Sequence, residues 1–171
     1  GFTTGSAPCF CGSQQELAQC CEPLLTGQAL APTAEALMRS RYSAYCTGNV
    51  DYLLATQHPL HRTVDGRQQI CHTLQTTEWL QLTIVSTQGG QPHDTTGIVE
   101  FVAVYRSGAE AQLHERSRFV QQKGRWFYQD GDLLPPLLPK RNELVGVAAA
   151  KNSNSVMAIK RDREANDLPL G

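Results

Sequence analysis

Four of the six cysteines fall inside the thirteen-residue stretch CFCGSQQELAQCC, residues 9–21. A segment this short buries too little apolar surface to hold a shape by itself. Its structure must come from cross-links, and its spacing is C-x-C-x8-C-C, from Cys9, Cys11, Cys20 and Cys21. Zinc takes four thiolates tetrahedrally at about 2.3 Å, and two close pairs joined by a turn can supply all four. Gly12 and Ser13 follow the first pair, where a tight bend aims backbone N–H groups at the sulfurs and offsets part of their negative charge. The spacing predicts about two helical turns over SQQELAQ, with Ser13 as N-cap and Glu16 completing a capping box. Vicinal or paired disulfides, a redox dithiol and chance clustering compete with the metal. A reducing compartment argues against disulfides, and the absent C-x-x-C argues against a redox pair. Iron is the main rival to zinc, because thiolates bind both.

The chain has 171 residues, with 15 Lys and Arg against 16 Asp and Glu. That length suits one domain with a small appendage, and the balanced charge supplies no field to recruit nucleic acid or an anionic membrane. No apolar run approaches the roughly 20 residues that span a bilayer, and GFTTGSAP has neither the basic nor the apolar region of a signal peptide. A cytoplasmic location is expected.

Residues 1–25 are read as the cysteine knuckle. EPLLTGQALAPT, residues 22–33, is expected to be a linker with little structure. Thr33 is placed to cap a helix through AEALMRSRYSAYCTG, with Gly48 as its stop. A second helix is expected from Asn49 until His58-Pro59 ends it, and a third over about 65–77 with Ile70, Cys71 and Leu74 on one side. WLQLTIVSTQ, GIVEFVAVYR, EAQLHERSRFVQQ and RWFYQDG then read as four strands joined by short turns. Helices followed by strands predict an α+β domain over 33–131, about three helices on a curved antiparallel sheet. Residues 132–171, Pro-rich and then mixed in charge, are expected to form a poorly structured tail with one short helix near 143–150.

If Lys123-Gly124 is a two-residue hairpin turn, Gln122 pairs with Arg125 and Phe119 with Tyr128. Alternation then places Glu115, Ser117, Phe119, Trp126, Tyr128 and Asp130 on one face, and Arg116, Arg118, Val120, Phe127 and Gln129 on the other. Aromatics mixed with carboxylates suit a pocket wall, so the candidate ligand pocket comprises Arg41, Tyr42, Glu115, Ser117, Tyr128 and Asp130. Glu115 and Arg41 are expected to pair, either to recognise a small polar ligand or to fix helix on sheet. His58 is a weaker candidate base, with Asp51 or Asp130 as partner. His114 is expected to be exposed on the arginine face, and Cys46 and Cys71 to be buried packing residues.

The cysteine segment resembles the SEC-C motif, a zinc knuckle that in the SecA translocation ATPase docks the chaperone SecB. LMRSRYSAY, TEWLQL, ERSRF and GRWFYQDG, in that order, resemble the YchJ family. The resemblance covers about residues 9–131 and implies a zinc knuckle joined to a domain similar to nuclear transport factor 2, a cone of helices against a curved sheet. SEC-C knuckles are commonly lysine-rich between the pairs, whereas SQQELAQ carries no positive charge. Docking to RNA or by long-range attraction is therefore disfavoured. The last forty residues contain no cysteine, so one metal site is expected.

Together these features suggest a zinc-binding adaptor that contacts a protein partner through the knuckle and has a possible small-ligand pocket. The alternative is a small enzyme with its active site in the cone. Nucleic-acid binding is a third and weaker reading.

Overall fold

The computed structural model describes residues 7–137. Helix α1, Glu22–Leu25, opens with Pro23 in its first turn, and α2 covers Ala34–Thr47. Thr33 caps α2, its hydroxyl accepting from the Ala36 N–H at 3.0 Å, and Gly48 ends it in the left-handed conformation. Helix α3, Val50–Thr56, begins on Asn49, whose Oδ1 accepts from the Tyr52 N–H at 3.0 Å. The backbone turns extended at Gln57 and His58, as expected before Pro59. Helix α4, Gly66–Thr76, buries Ile70 and leaves Cys71 and Leu74 half-buried. None of the helices among the described residues is long and apolar enough to cross a membrane.

Strands β1 (Glu78–Gly89), β2 (Thr96–Ser107), β3 (Ala109–Gln122) and β4 (Arg125–Leu133) form an antiparallel meander in that order. Lys123 and Gly124 both have positive φ, 52° and 77°, which fits a tight hairpin turn matching the twist of the strands. Gln122 accordingly lies opposite Arg125, and Phe119 opposite Tyr128. Phe101, Ala103, Leu113, Phe119 and Trp126 are buried on the inner face, with Leu37, Met38 and Leu53 among the helical residues of the same core. Helix α2 is buried on more than one side, because the knuckle, α3 and the sheet all meet it.

Strict alternation breaks at one residue of β4. Arg118 pairs with Asp130 while Phe119 pairs with Tyr128, so Gln129 is an extra residue, a β-bulge. Asp130 therefore lies with Arg118 and not with Tyr128. Its Oδ1 accepts from Arg118 Nε at 2.5 Å, and Asp132 accepts from Nη1 at 2.7 Å. This corrects the placement of Asp130 in the candidate pocket.

Three further expectations are corrected. The segment 22–33 is not an unstructured linker: it contains α1, buries Ala31, and packs Leu24 and Leu25 against the core. The apolar side chains hidden among its Pro and Gly residues gain more by packing than the segment loses in freedom. His114 does lie on the arginine face but is buried there, with Nε2 at 2.9 Å from Glu100 Oε2 and Nδ1 at 2.6 Å from the Pro135 carbonyl oxygen. Strand β4 runs on to Leu133, and the Leu134 N–H donates to the His114 carbonyl at 2.8 Å. The helix expected near 143–150 lies outside the described residues.

Candidate metal centre and the interior polar cluster

A small backbone frame brings the cysteines together. The Cys9 N–H donates to the Gln15 carbonyl at 2.8 Å and the Leu17 N–H to that of Ala7 at 2.9 Å, closing residues 9–15 into a loop. Gly12 turns that loop at a φ of 77°. SQQELAQ forms only a single 3₁₀ turn, Leu17–Gln19, and no capping box. Ser13 Oγ instead sits 3.1 Å from Cys20 Sγ and accepts the Gln15 N–H at 3.3 Å. The loop must deliver Cys20 to the cluster, and a longer helix starting at Ser13 would carry it past.

The four sulfurs all lie within 4.8 Å of one another. Cys11 and Cys20 Sγ are 3.6 Å apart, and Cys20 and Cys21 Sγ 3.9 Å. A tetrahedron of sulfurs about 2.3 Å from a central ion has edges of about 3.8 Å, so this spacing fits a four-thiolate metal site. It is far too long for a disulfide, about 2.05 Å, and all four cysteines are free. The cluster could hold one metal ion, and zinc and iron both accept such a donor set.

Crowding perturbs the thiols in opposite directions. Cys11 is lowered to about 4, chiefly by a hydrogen bond from the Cys21 thiol, against the effect of burial. Burial pushes Cys20 up to about 11, and Cys21 is also raised, chiefly by its hydrogen bond to Cys11 and then by burial. Among these three, Cys11 is favoured to carry negative charge, whereas Cys20 and Cys21 are favoured to keep their protons. A cation at the centre would let all of them ionise.

The knuckle rests on α2. Ser43 Oγ lies 3.6 Å from Cys9 Sγ, and Arg39 Nη1 donates to the Cys11 carbonyl at 2.7 Å while its Nε donates to Glu35 at 2.9 Å. Neither Ser43 nor Arg39 is among the residues that the sequence singles out for the knuckle. The available signal was their i, i+4 spacing, which puts both on one side of α2.

Five of the six candidate pocket residues lie in the interior, and four of them, Arg41, Glu115, Ser117 and Tyr128, are brought together. Arg41, Tyr42, Glu115, Ser117 and Tyr128 are each 2% exposed or less. Tyr128 Oη donates to Glu115 Oε1 at 2.6 Å and Ser117 Oγ to the same oxygen at 3.0 Å. A Cβ at Gly131 would collide with that carboxylate, so glycine is what leaves room for it. The Arg41 guanidinium lies 4.8 Å from the Tyr128 ring centroid and donates to the Leu53 carbonyl at 2.9 Å and Thr56 Oγ1 at 2.6 Å. Tyr128 thus links Arg41 to Glu115, taking the cation on its ring face and donating a hydrogen bond from its hydroxyl to the carboxylate. Tyr42 faces elsewhere, edge-on to Trp79 and hydrogen-bonded to Cys46. Burial raises the Tyr45 phenol to about 12, with Arg41 and Glu115 as opposing smaller influences. His58 Nδ1 accepts from the Leu60 N–H at 3.2 Å, which leaves Nε2–H to donate to Gln122 at 3.0 Å. Its ring therefore caps a turn and bonds a glutamine, with neither Asp51 nor Asp130 among these partners.

Residues 33–131 match the family described as YchJ, middle NTF2-like domain, and residues 6–23 match the SEC-C motif. The chain belongs to the YchJ family. A UPF0225 protein of Serratia proteamaculans is 45% identical over 127 residues, 72% of this chain and 81% of the relative. Another, from Streptomyces coelicolor, is 46% identical, over 74% of this chain and 96% of the relative. A SEC-C motif containing protein from Rhodopseudomonas palustris, solved in solution, is 34% identical with a TM-score of 0.69, covering 74% of this chain and 98% of that one. A crystal structure of a SEC-C motif containing protein from Psychrobacter arcticus, 24% identical with a TM-score of 0.61, shares the fold. The YchJ architecture thus accounts for both parts of the described residues, an N-terminal cysteine knuckle and an α+β domain built on a four-stranded antiparallel sheet.

Proposed function

We propose that this YchJ protein is a cytoplasmic adaptor whose knuckle, closed by a structural zinc ion, docks a protein partner. The observation that carries the reading is Phe10. Held between two metal-ligand candidates, its ring is 46% exposed at the rim of a groove of about 470 Å³ shared with Arg39 and Leu80–Ile84 of β1. Leu80, 38% exposed, adds a second apolar side chain to the same groove. An exposed aromatic on a rigid, cross-linked loop beside a sheet edge can act as an anchor that loses little entropy on binding. Four thiolates around one ion leave no open position for substrate, which supports a binding role for the knuckle over a catalytic one. The absence of cations in SQQELAQ supports short-range contacts with a protein over contacts with nucleic acid.

The test uses two variants. Phe10→Asp removes the anchor and spares the thiols, whereas Cys20→Ser with Cys21→Ser removes half of the cluster. Metal analysis should find one equivalent of zinc in Phe10→Asp and none in the double variant. Affinity capture from lysate should lose the same partner with both. A captured set unchanged by either variant overturns the adaptor reading, and iron in place of zinc overturns the metal assignment alone.

A further inference from the structure

A second concave surface lies away from Phe10, where the segment after the knuckle faces α3 and the start of β4. Residues Leu24–Ala31 form one wall, Asn49–Thr56 the other, Leu37 belongs to the lining, and Arg125 and Trp126 contribute from β4; the volume is about 410 Å³. That is in the range of small-molecule sites. Leu37 and Trp126 are buried, yet Leu30 is 54% exposed in the same wall.

The polar side chains of this lining are engaged with the protein itself, with one exception. Asn49 accepts from the Tyr52 N–H and donates to the Leu25 carbonyl at 3.4 Å. The Tyr52 hydroxyl is bound to Ser40 at 2.6 Å, and Thr26 donates to the Pro23 carbonyl at 3.3 Å. Thr56 is taken by Arg41 and by the Tyr52 carbonyl, and the Trp126 N–H by the Pro32 carbonyl at 3.3 Å. Asp51, the only acid in the lining, is held by Arg67 at 2.6 Å. Arg125 is the exception: it has no hydrogen bond or ion pair from its side chain among the described residues. What the groove offers a visitor is therefore an apolar surface, an exposed cation whose donors no described residue takes, and a carboxylate whose charge is partly offset by Arg67.

We propose that this groove binds a small amphiphilic anion, an apolar or aromatic body carrying a single carboxylate or sulfonate that pairs with Arg125. The body would lie against Leu24, Leu30 and Trp126, and the charged end would take the bidentate donors of the guanidinium. Because Leu24 follows Cys20 and Cys21 by only a few residues, the wall of this site depends on the knuckle being closed. The proposal does not depend on Phe10 or on a protein partner.

The test uses the full chain with two matched probes, 8-anilinonaphthalene-1-sulfonate and its uncharged counterpart N-phenyl-1-naphthylamine. The sulfonate should bind at one per chain, quench Trp126 and shift the amides of Leu30, Ala55 and Arg125 in an NMR titration. A charge-assisted hydrogen bond makes its affinity at least about tenfold higher than that of the neutral probe. Arg125→Ala should remove that advantage while leaving the neutral probe unchanged, and Arg125→Lys should restore part of it. Equal affinity of the two probes, insensitivity to Arg125→Ala, amide shifts confined to another surface, or no binding in the millimolar range each overturns the proposal.

Discussion

Replacing Tyr128 by Phe deletes one oxygen from the interior and keeps the ring. The Arg41 guanidinium still has its aromatic face at 4.8 Å, so the substitution isolates the hydrogen bond to Glu115, 2.6 Å long and wholly buried. A hydrogen bond to a buried charged group contributes about 1.5–3 kcal/mol, and removing the donor also leaves the carboxylate less well solvated by the protein. The expected loss is therefore about 2–3 kcal/mol, a drop of roughly 6–15 °C in melting temperature for a domain of this size. Urea denaturation at neutral pH measures it, with an unchanged m-value showing that the denatured state is unaffected. Arg41→Met in both backgrounds completes a double-mutant cycle and reads how far the cation and the carboxylate communicate through the ring. A loss below about 0.5 kcal/mol would refute the view that this cluster fixes helix on sheet.

Metal retention should depend steeply on acid. Bound thiolates exclude protons, and Cys20, held up near 11, and Cys21, also raised, recover theirs readily without a cation. Acidification therefore favours release, more than one proton per ion, and a chromophoric chelator should register full release before the ordinary carboxylate range, about pH 4, is reached; complete retention there would contradict the assignment. Gly97→Ala should cost about 1–3 kcal/mol in the same denaturation assay, because its Cβ would lie 3.0 Å from the Ala34 methyl and 2.8 Å from the Gly90 nitrogen. Wild-type stability in that variant would mean that the start of α2 can move off the β1–β2 turn freely.

The cap Thr33, the start of a helix at Asn49, the stop at Gly48, the Lys123-Gly124 turn and the register it sets all act within a few residues, so their chemistry is visible in the chain. The cysteine cluster is legible for the same reason, since four thiols in thirteen residues cannot be far apart. Asp130 was misplaced because a bulge is a choice between two strands. One extra residue at Gln129 reverses every side chain beyond it, and nothing in RWFYQDG announces it. Ser13 was misread because its hydroxyl had a nearby thiol to meet as well as a backbone to cap.

Spacing and residue type thus determined the knuckle, the helix ends and the order of the strands, because each is settled by short-range sterics and hydrogen bonding. Only the tertiary structure decided that the knuckle is seated on α2 through Ser43 and Arg39, that the segment after it is a wall and not a tether, and that Arg41, Tyr128 and Glu115 close on one another inside the domain. Those outcomes depend on groups brought together across the fold, where burial, partner and distance decide what a side chain does, and a linear pattern records none of the three.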